Sequence, residues 1–341
     1  MTVTVEQHIP LAPFTTIGIG GPARFFARVT DVDALREAID WARERSLALF
    51  ILGSGSNLLI SDDGFDGLVV HIDLPGVTVE SVDAFATVRV SAGEVWDDFV
   101  SMAVLRGWAG IECLSGIPGS VGATPTQNVG AYGQEVSETV ARVEVLDRHD
   151  SLVKTLTNWD CRFSYRSSLF KNYERNRYVV TAVTFRLKVG AAASVRYPEL
   201  QRFIEERGVS LDDLAGVRNA VIAIRRRKGM VLDPADPDTR SDGSFFMNPI
   251  VESSLATSDM PAYPASEGMV KLSAAWLIEH AGFQKGFTLG NAGLSSKHTL
   301  AVINRGGASA REVLALVELI QSRVREKFGI ELQPEPSFIG F

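Results

Sequence analysis

Apolar residues recur at helical spacing in only a few stretches of this chain, and short strand-like runs fill most of the rest. Leu35, Ala38, Ile39 and Ala42 fall on one helical face, behind a capping box formed by Thr30 and Asp33. Ala48–Leu52 then reads as a short buried strand, and Leu58–Ile60 and Leu68–Ile72 as two more. From Val77 the pattern changes. Val77–Val79, Thr87–Val90, Val140–Leu146, Leu152–Leu156 and Tyr178–Lys188 read as strands, with His149-Asp150-Ser151 as a hairpin turn and Val95–Leu105 as the one helix among them. Beyond Ser210 helical spacing returns. Leu211–Arg227 carries an apolar stripe, Lys271–His280 stops before Gly282, and Ser309 with Glu312 opens a long helix ending near Gly329. The fold class expected is α+β, in two or three domains and without repeats at solenoid spacing. Asp233–Asp242, rich in Pro and Asp, separates the Leu211–Arg227 helix from the C-terminal third of the chain. Prolines on both sides of Glu335 make the C-terminal tail extended, so it needs a docking surface to be ordered.

Composition narrows the partners. The chain has 341 residues, 45% apolar and 22% charged, which is globular rather than disordered. Acidic residues outnumber basic ones by 41 to 34, a net charge of −7 that argues against a nucleic-acid partner. The longest apolar run, Leu47–Leu52, falls far short of the roughly 20 residues of a membrane helix. Met1–Pro13 lacks the basic start and greasy stretch of a secretory signal, so a cytoplasmic protein with no membrane partner is expected. Cys113 and Cys161 cannot build a disulfide framework or a thiolate metal site. His8, His71, His149, His280 and His298 show no ligand spacing, and no metal is expected.

Five segments carry candidate chemistry. Gly53-Ser54-Gly55-Ser56-Asn57 reads equally as a backbone cradle for a phosphate and as an ordinary tight turn. It is not a Rossmann fingerprint, because strand-like Leu58-Leu59-Ile60 follows where a helix should begin. The glycine-rich stretch Ser115–Gly133 holds apolar anchors at Ile117, Val121 and Val129, which favours a ligand lying on backbone over a mobile loop. Tyr165-Arg166, between Phe163 and Phe170, suits either a desolvated guanidinium that binds a carboxylate or a surface arginine lying over aromatic rings. Ser244, in Asp242–Pro249, reads on residues alone as a turn or capping serine, and the Gly-x-Ser-x-Gly elbow is absent. Arg225–Lys228 reads as a solvated face that complements a helix dipole, with anion binding as the minority reading.

Taken in order, these segments resemble the UDP-N-acetylenolpyruvoylglucosamine reductase (UDP-N-acetylmuramate dehydrogenase) family, in its longer subclass. The resemblance runs from Phe14-Thr15-Thr16-Ile17-Gly18-Ile19-Gly20-Gly21 to Pro334-Glu335, through Leu52–Asn57, Gly116–Gly133, Phe163–Lys171, Gly243–Pro249 and Lys271–Leu277. It implies a two-part FAD-binding fold of the vanillyl-alcohol-oxidase (PCMH) type in residues 1–73 and 74–228, and a C-terminal α+β substrate-binding domain in 229–329. The tail, 330–341, is implied to pack back near the active site. The implied activity is NADPH-dependent reduction of the enolpyruvyl group of UDP-N-acetylglucosamine enolpyruvate, giving UDP-N-acetylmuramate for peptidoglycan. By motif, Arg166 and a protonated Glu335 stabilise the enolate-like intermediate and Ser244 is the general acid. Tyr165, Tyr197, Lys228 and Asn248 match substrate contacts, Tyr263 the closing tyrosine loop, and Lys285 a residue facing UDP. His298 stands where a relative has glutamine, and Pro336-Ser337-Phe338 where Val-Arg-Phe is commoner. FAD contacts are implied for Gly53, Ser54, Gly55, Ser56 and Asn57, and for Gly116, Ile117, Pro118, Gly119, Ser120, Gly122, Ala123, Gln127 and Asn128. No His or Cys is placed to tether the flavin, so FAD is expected to be non-covalent; a monomer is expected too. Two alternatives stand beside this one: a flavin oxidase of an alcohol or hydroxy acid, and a non-catalytic flavin- or UDP-sugar-binding protein.

Overall fold

Buried apolar side chains gather in three cores in the computed structural model, which describes residues 3–341. The cores are shared between two units. One unit comprises the chain up to His8, Arg24–Ser54 and Asp66–Arg226; the other comprises Ile9–Ala23, Gly55–Phe65 and Arg227–Phe341.

The first unit holds two larger sheets besides the short pair Gly130–Ala131 and Gln134–Glu135. One orders its strands Val5–Pro10, Pro22–Val29, Phe65–Ile72 and Ala48–Leu52, the last pair parallel with Leu52 opposite His71. Helix α1 (Val32–Glu44) buries Leu35, Ala38, Ile39 and Ala42, the face read from the sequence. Its cap is Asp31 rather than Thr30: the carboxylate accepts from Ala34 N at 2.7 Å, satisfying an orphan N–H of the first turn.

The second sheet is antiparallel, in the order Val153–Thr157, Val140–Asp147, Tyr178–Val189, Phe85–Ser91 and Val77–Val82. Helices α2 (Trp96–Leu105), α3 (Pro198–Glu205) and α4 (Leu214–Arg227) contribute to its core, where Phe99 and Phe185 pack with ring centroids 4.9 Å apart. A buried ring of this kind contributes about 1.5–3 kcal/mol. Helix α4 starts at Leu214, not at Leu211, because the Asp213 carboxylate accepts from Gly216 N at 2.9 Å and so caps the helix there.

The second unit has its own core, in which Ile17, Leu59, Phe245, Phe246, Leu277 and Leu316 are buried. Helix α5 (Ala274–His280) is shorter than expected. Met269–Leu272 lies instead in a three-stranded sheet between Ile250–Glu252 and Ala262–Pro264, and Ser273 caps α5 by accepting from Trp276 N. Helix α6 (Ala310–Phe328) follows its sequence signals closely, with the Ser309/Glu312 capping box formed and Gly329 closing it at φ 67°. The tail has a partner. Ser337–Ile339 lies parallel to Leu58–Ile60, with Phe338 opposite Leu59, and Pro334 bridges Phe246. Among the described residues no helix is long and apolar enough to cross a membrane.

Candidate active site

In the first unit, Arg166 sits in a tight turn closed by backbone bonds between Ser164 and Ser167 (3.1 and 3.0 Å), with φ +52° at the arginine. The turn is fixed from outside. Arg166 Nη2 donates to the Gly130 carbonyl at 2.8 Å, and the guanidinium carbon lies 5.4 Å from the centre of the Tyr165 ring. Glycine is needed at 130: a Cβ there would fall 2.9 Å from Gln134 O and 3.2 Å from Arg166 Nη1. Asn128, only 1% exposed, donates from Nδ2 to Glu135 Oε2 (2.7 Å) and Ser164 O (3.1 Å), and accepts from Ser137 N. Its side chain therefore holds the Arg166 turn. Arg166 itself is half-buried.

Tyr197 meets Tyr132 edge to face, with ring centroids 5.7 Å apart. In the sequence Tyr132 stands out only as part of the glycine-rich stretch. Burial pushes its hydroxyl up to about 12, against the opposing field of Arg225. Arg225 corrects the solvated-face reading of the basic run: it is buried and donates Nε to Gly116 O at 3.3 Å, while Arg226 and Arg227 are exposed. On its other side Gly116 N donates to Asp97 at 2.6 Å, and Asp97 also takes a two-pronged bond from Arg218 at 2.6 and 2.8 Å. Burial pushes the Asp97 carboxyl up, but these bonds outweigh it and hold the group below its ordinary range. No sequence signal marks Asp97, because its partners lie far along the chain.

The glycine-rich stretch is ordered backbone rather than a mobile loop. Gly119 O accepts from Trp96 N at 3.0 Å, Ala123 N donates to Ser120 O at 3.1 Å, and Ile117 and Pro118 are half-buried. A Cβ on Gly122 would lie 2.5 Å from that of Ala92. Gly53 faces Ser120, whose Oγ a Cβ at 53 would approach to 2.8 Å, so these two glycine- and serine-bearing segments meet. Ser54 follows on one side, and Gln127, half-buried, precedes Asn128 on the other. Close, side-chain-poor backbone of this kind fits the phosphates of a dinucleotide.

In the second unit, Gly55 has φ +62° and packs so closely that a Cβ would lie 1.9 Å from Phe14 O. Thr16 N donates to its carbonyl at 3.1 Å. Two residues on, past half-buried Ser56, Asn57 reaches the tail: Nδ2 donates to Glu335 O at 3.3 Å, and Asn57 O accepts from Ser337 N at 3.0 Å. Glu335 N in turn donates to Phe245 O at 2.8 Å. Ser244, the residue before Phe245, is thereby brought beside Glu335 from 91 positions away in the numbering.

His298 is partly buried, and burial together with the positive fields of Lys228 and Lys285 pushes its pKa down to about 4. These three residues come from separate segments, and a neutral imidazole beside two ammonium groups suits an anionic ligand. Asn248 accepts from Ala274 N at 2.9 Å and anchors the start of α5. Tyr263 is 40% exposed on an edge strand, opposite Lys271.

A model of an FAD binding domain matches residues 23–156, and a model of the UDP-N-acetylenolpyruvoylglucosamine reductase C-terminal domain matches residues 234–339. A UDP-N-acetylenolpyruvoylglucosamine reductase of Thermobifida fusca is 48% identical to the chain, covering all of it and 99% of the relative. The protein of that name from Cutibacterium acnes is 48% identical over 98% of this chain and 90% of its own. The crystal structure of UDP-N-acetylenolpyruvylglucosamine reductase from Thermus caldophilus is similar throughout, with a TM-score of 0.68, 26% identity and 99% of each chain covered.

Proposed function

The chain belongs to the UDP-N-acetylenolpyruvoylglucosamine reductase family, and on that premise we propose that Arg166, Ser244 and Glu335 carry the reduction. It is an oxidoreductase of peptidoglycan synthesis with FAD as cofactor and NADPH as co-substrate. Its FAD-binding fold is of the vanillyl-alcohol-oxidase (PCMH) type, joined to a C-terminal α+β domain. We take the FAD-binding parts to be 1–73 and 74–228 and the substrate domain 229–329, in a cytoplasmic, monomeric protein.

Residues 53–57 and 116–128 would hold FAD without a covalent bond, and the flavin would supply a hydride for the terminal carbon of the enol ether. Charge then gathers on the substrate carboxylate, and the neighbouring carbon must take a proton. Arg166, braced by Gly130 and Asn128, offers a fixed guanidinium to that carboxylate. Ser244 delivers its hydroxyl proton to the carbon; a serine is a weak acid, but an enolate-like carbon is a strong base. Glu335 donates a hydrogen bond to the developing charge. Lys228, Lys285 and His298 take the diphosphate, Tyr165, Tyr197 and Asn248 contact the sugar and enolpyruvyl groups, and Tyr263 closes over the nucleotide.

The observation that supports this reading is the 2.8 Å backbone bond from Glu335 N to Phe245 O, which ties the segment of the proposed charge stabiliser to the residue after the proposed proton donor. The test is a pair of anaerobic half-reactions on the holoenzyme. NADPH should bleach the flavin band and UDP-N-acetylglucosamine enolpyruvate should restore it. Ser244→Ala should keep the first step and slow the second by about 10²–10⁴-fold. Recovery of colour only with oxygen would favour the oxidase; a flavin that NADPH never bleaches would favour the binding protein.

A further inference from the structure

Two residues before Ser244 stands a carboxyl group that the mechanism does not use. Asp242 is 7% exposed and lies where three segments of the second unit meet. Thr16 Oγ1 donates to its Oδ1 at 3.2 Å, and the backbone N–H of Leu58 also bonds to the carboxyl. Oδ2 is sealed from solvent and has no hydrogen-bond partner among the described residues. Thr16 N holds the Gly55 carbonyl, and Leu58 begins the strand that receives the tail bearing Glu335. The carboxyl of Asp242 is thus a knot between the segment of Thr16, the strand after Asn57 and the turn that presents Ser244.

We infer that Asp242 is a positioning residue for Ser244, tying the serine's turn to Thr16 and Leu58 as a neutral carboxyl group. The inference rests on the proton-donor role of Ser244. An ionised carboxylate at this place would keep two donors on a full charge and leave one oxygen bare, an arrangement that burial penalises heavily. Burial accordingly pushes the group up to about 8, against the pull of the two hydrogen bonds. Neither Asp238 nor Arg240 on its own segment, nor Asp62 beyond the Leu58 strand, contributes to that balance. Above about pH 8 the knot acquires a charge it cannot satisfy, and the turn that aims Ser244 loosens. Gly243, with φ +74°, gives that turn its shape and no side chain to resist the change.

The experiment compares both half-reactions of the holoenzyme from pH 6 to 10 in wild type, Asp242→Asn, Asp242→Ala and Ser244→Ala. Flavin reduction by NADPH does not use Ser244 and serves as the internal control. Wild-type reoxidation by the enolpyruvyl substrate should fall above about pH 8 while reduction does not. Asp242→Asn keeps the neutral shape, so it should reoxidise within about threefold of wild type at pH 7 and lose the alkaline fall. Asp242→Ala should slow reoxidation tenfold or more with KM little changed. An alkaline fall that persists in Asp242→Asn, or equal slowing of both half-reactions, would overturn the inference. Should Asp242→Ala fail to fold, the Asn profile decides alone. Normal reoxidation in Ser244→Ala would remove the proton-donor reading and this inference with it, whereas a slow Ser244→Ala beside a normal Asp242→Ala would remove only the inference.

Discussion

Replacing Asp97 by alanine should cost the first unit stability and, separately, its grip on FAD. The carboxylate joins the first turn of α2 to α4 through its two bonds with Arg218, and to the glycine-rich stretch through Gly116 N. The arginine side chain is 14% exposed and the aspartate 31%, so water can replace only part of what is lost. Hydrogen bonds to charged groups contribute about 1.5–3 kcal/mol each when buried, and the partial exposure lowers three of them to about 3 kcal/mol together. At about 2–4 °C per kcal/mol, the melting temperature of the FAD-free protein should fall by roughly 6–12 °C. Arg225 still holds Gly116 O in the variant, so the stretch from Ile117 to Ser120 loosens at one end only. An affinity loss of about tenfold, or about 1.4 kcal/mol, is the corresponding expectation for FAD. Calorimetry of the apoprotein reads the first effect and a flavin fluorescence titration the second. Because FAD stabilises the state it binds, the holoenzyme should lose more than the apoprotein. The pH dependence fixes the sign. The folded carboxyl is held below its ordinary range, so its contribution is complete above about pH 4 and disappears as the pH falls further, and the two proteins should converge in acid. An apoprotein melting within a degree of wild type would refute the energetic argument; unchanged FAD affinity would refute the positioning one.

His298 supplies a prediction of opposite origin. Its folded pKa, about 4, lies below the ordinary 6.5, so between these values the unfolded chain takes up a proton that the folded chain refuses. Stability should therefore fall by up to about 3 kcal/mol as the pH drops from 6.5 to 4, and His298→Gln should flatten that fall in urea unfolding at pH 7 and 4.5. Ser309→Ala removes one arm of the α6 capping box, Glu312 N to Ser309 Oγ at 3.1 Å, and leaves the other, the backbone N–H of residue 309 to Glu312 at 2.9 Å. It should cost about 1 kcal/mol by thermal unfolding, while Ser309→Asp should recover most of it.

Features set by neighbouring residues are legible in the sequence, and features set by distant ones are not. Helix α6 is readable because its cap, its apolar stripe and Gly329 all lie within its own span. Met269–Leu272 is ambiguous because a short apolar run fits a helix and a strand equally, and only its pairing with Ile250–Glu252 and Ala262–Pro264 decides for the strand. The first two strands escape a reading of the pattern, Val5–Pro10 being mostly exposed and without the alternation that marks a strand. The environment of Arg166 depends on Gly130 and Asn128, 36 residues away in each bond. Asp242 and Thr16 are 226 positions apart, and nothing local to either residue announces the other. The buried Arg225 looks like its exposed neighbours for the same reason.

The tail shows how a negative inference from sequence can carry positive content. Leu58-Leu59-Ile60 excludes a Rossmann unit, in which a helix N-terminus would take the phosphate at this position. A strand there has a different consequence: it offers an edge of unpaired backbone groups, and a chain made extended by prolines can pair with it. Ser337–Ile339 does so in parallel, which fixes the tail's direction and register against Asn57. Register then determines where Glu335 falls, because Ser337 N is bound to Asn57 O and Glu335 N to Phe245 O. The prolines at 334 and 336 cannot donate hydrogen bonds, so within this stretch only Gln333, Glu335 and Ser337 have backbone N–H groups to offer. Sequence alone shows that the tail is stiff. The choice of a strand over a helix after Asn57 makes that stiffness useful, since it allows the backbone of Glu335 to be bound to Phe245, the residue after Ser244.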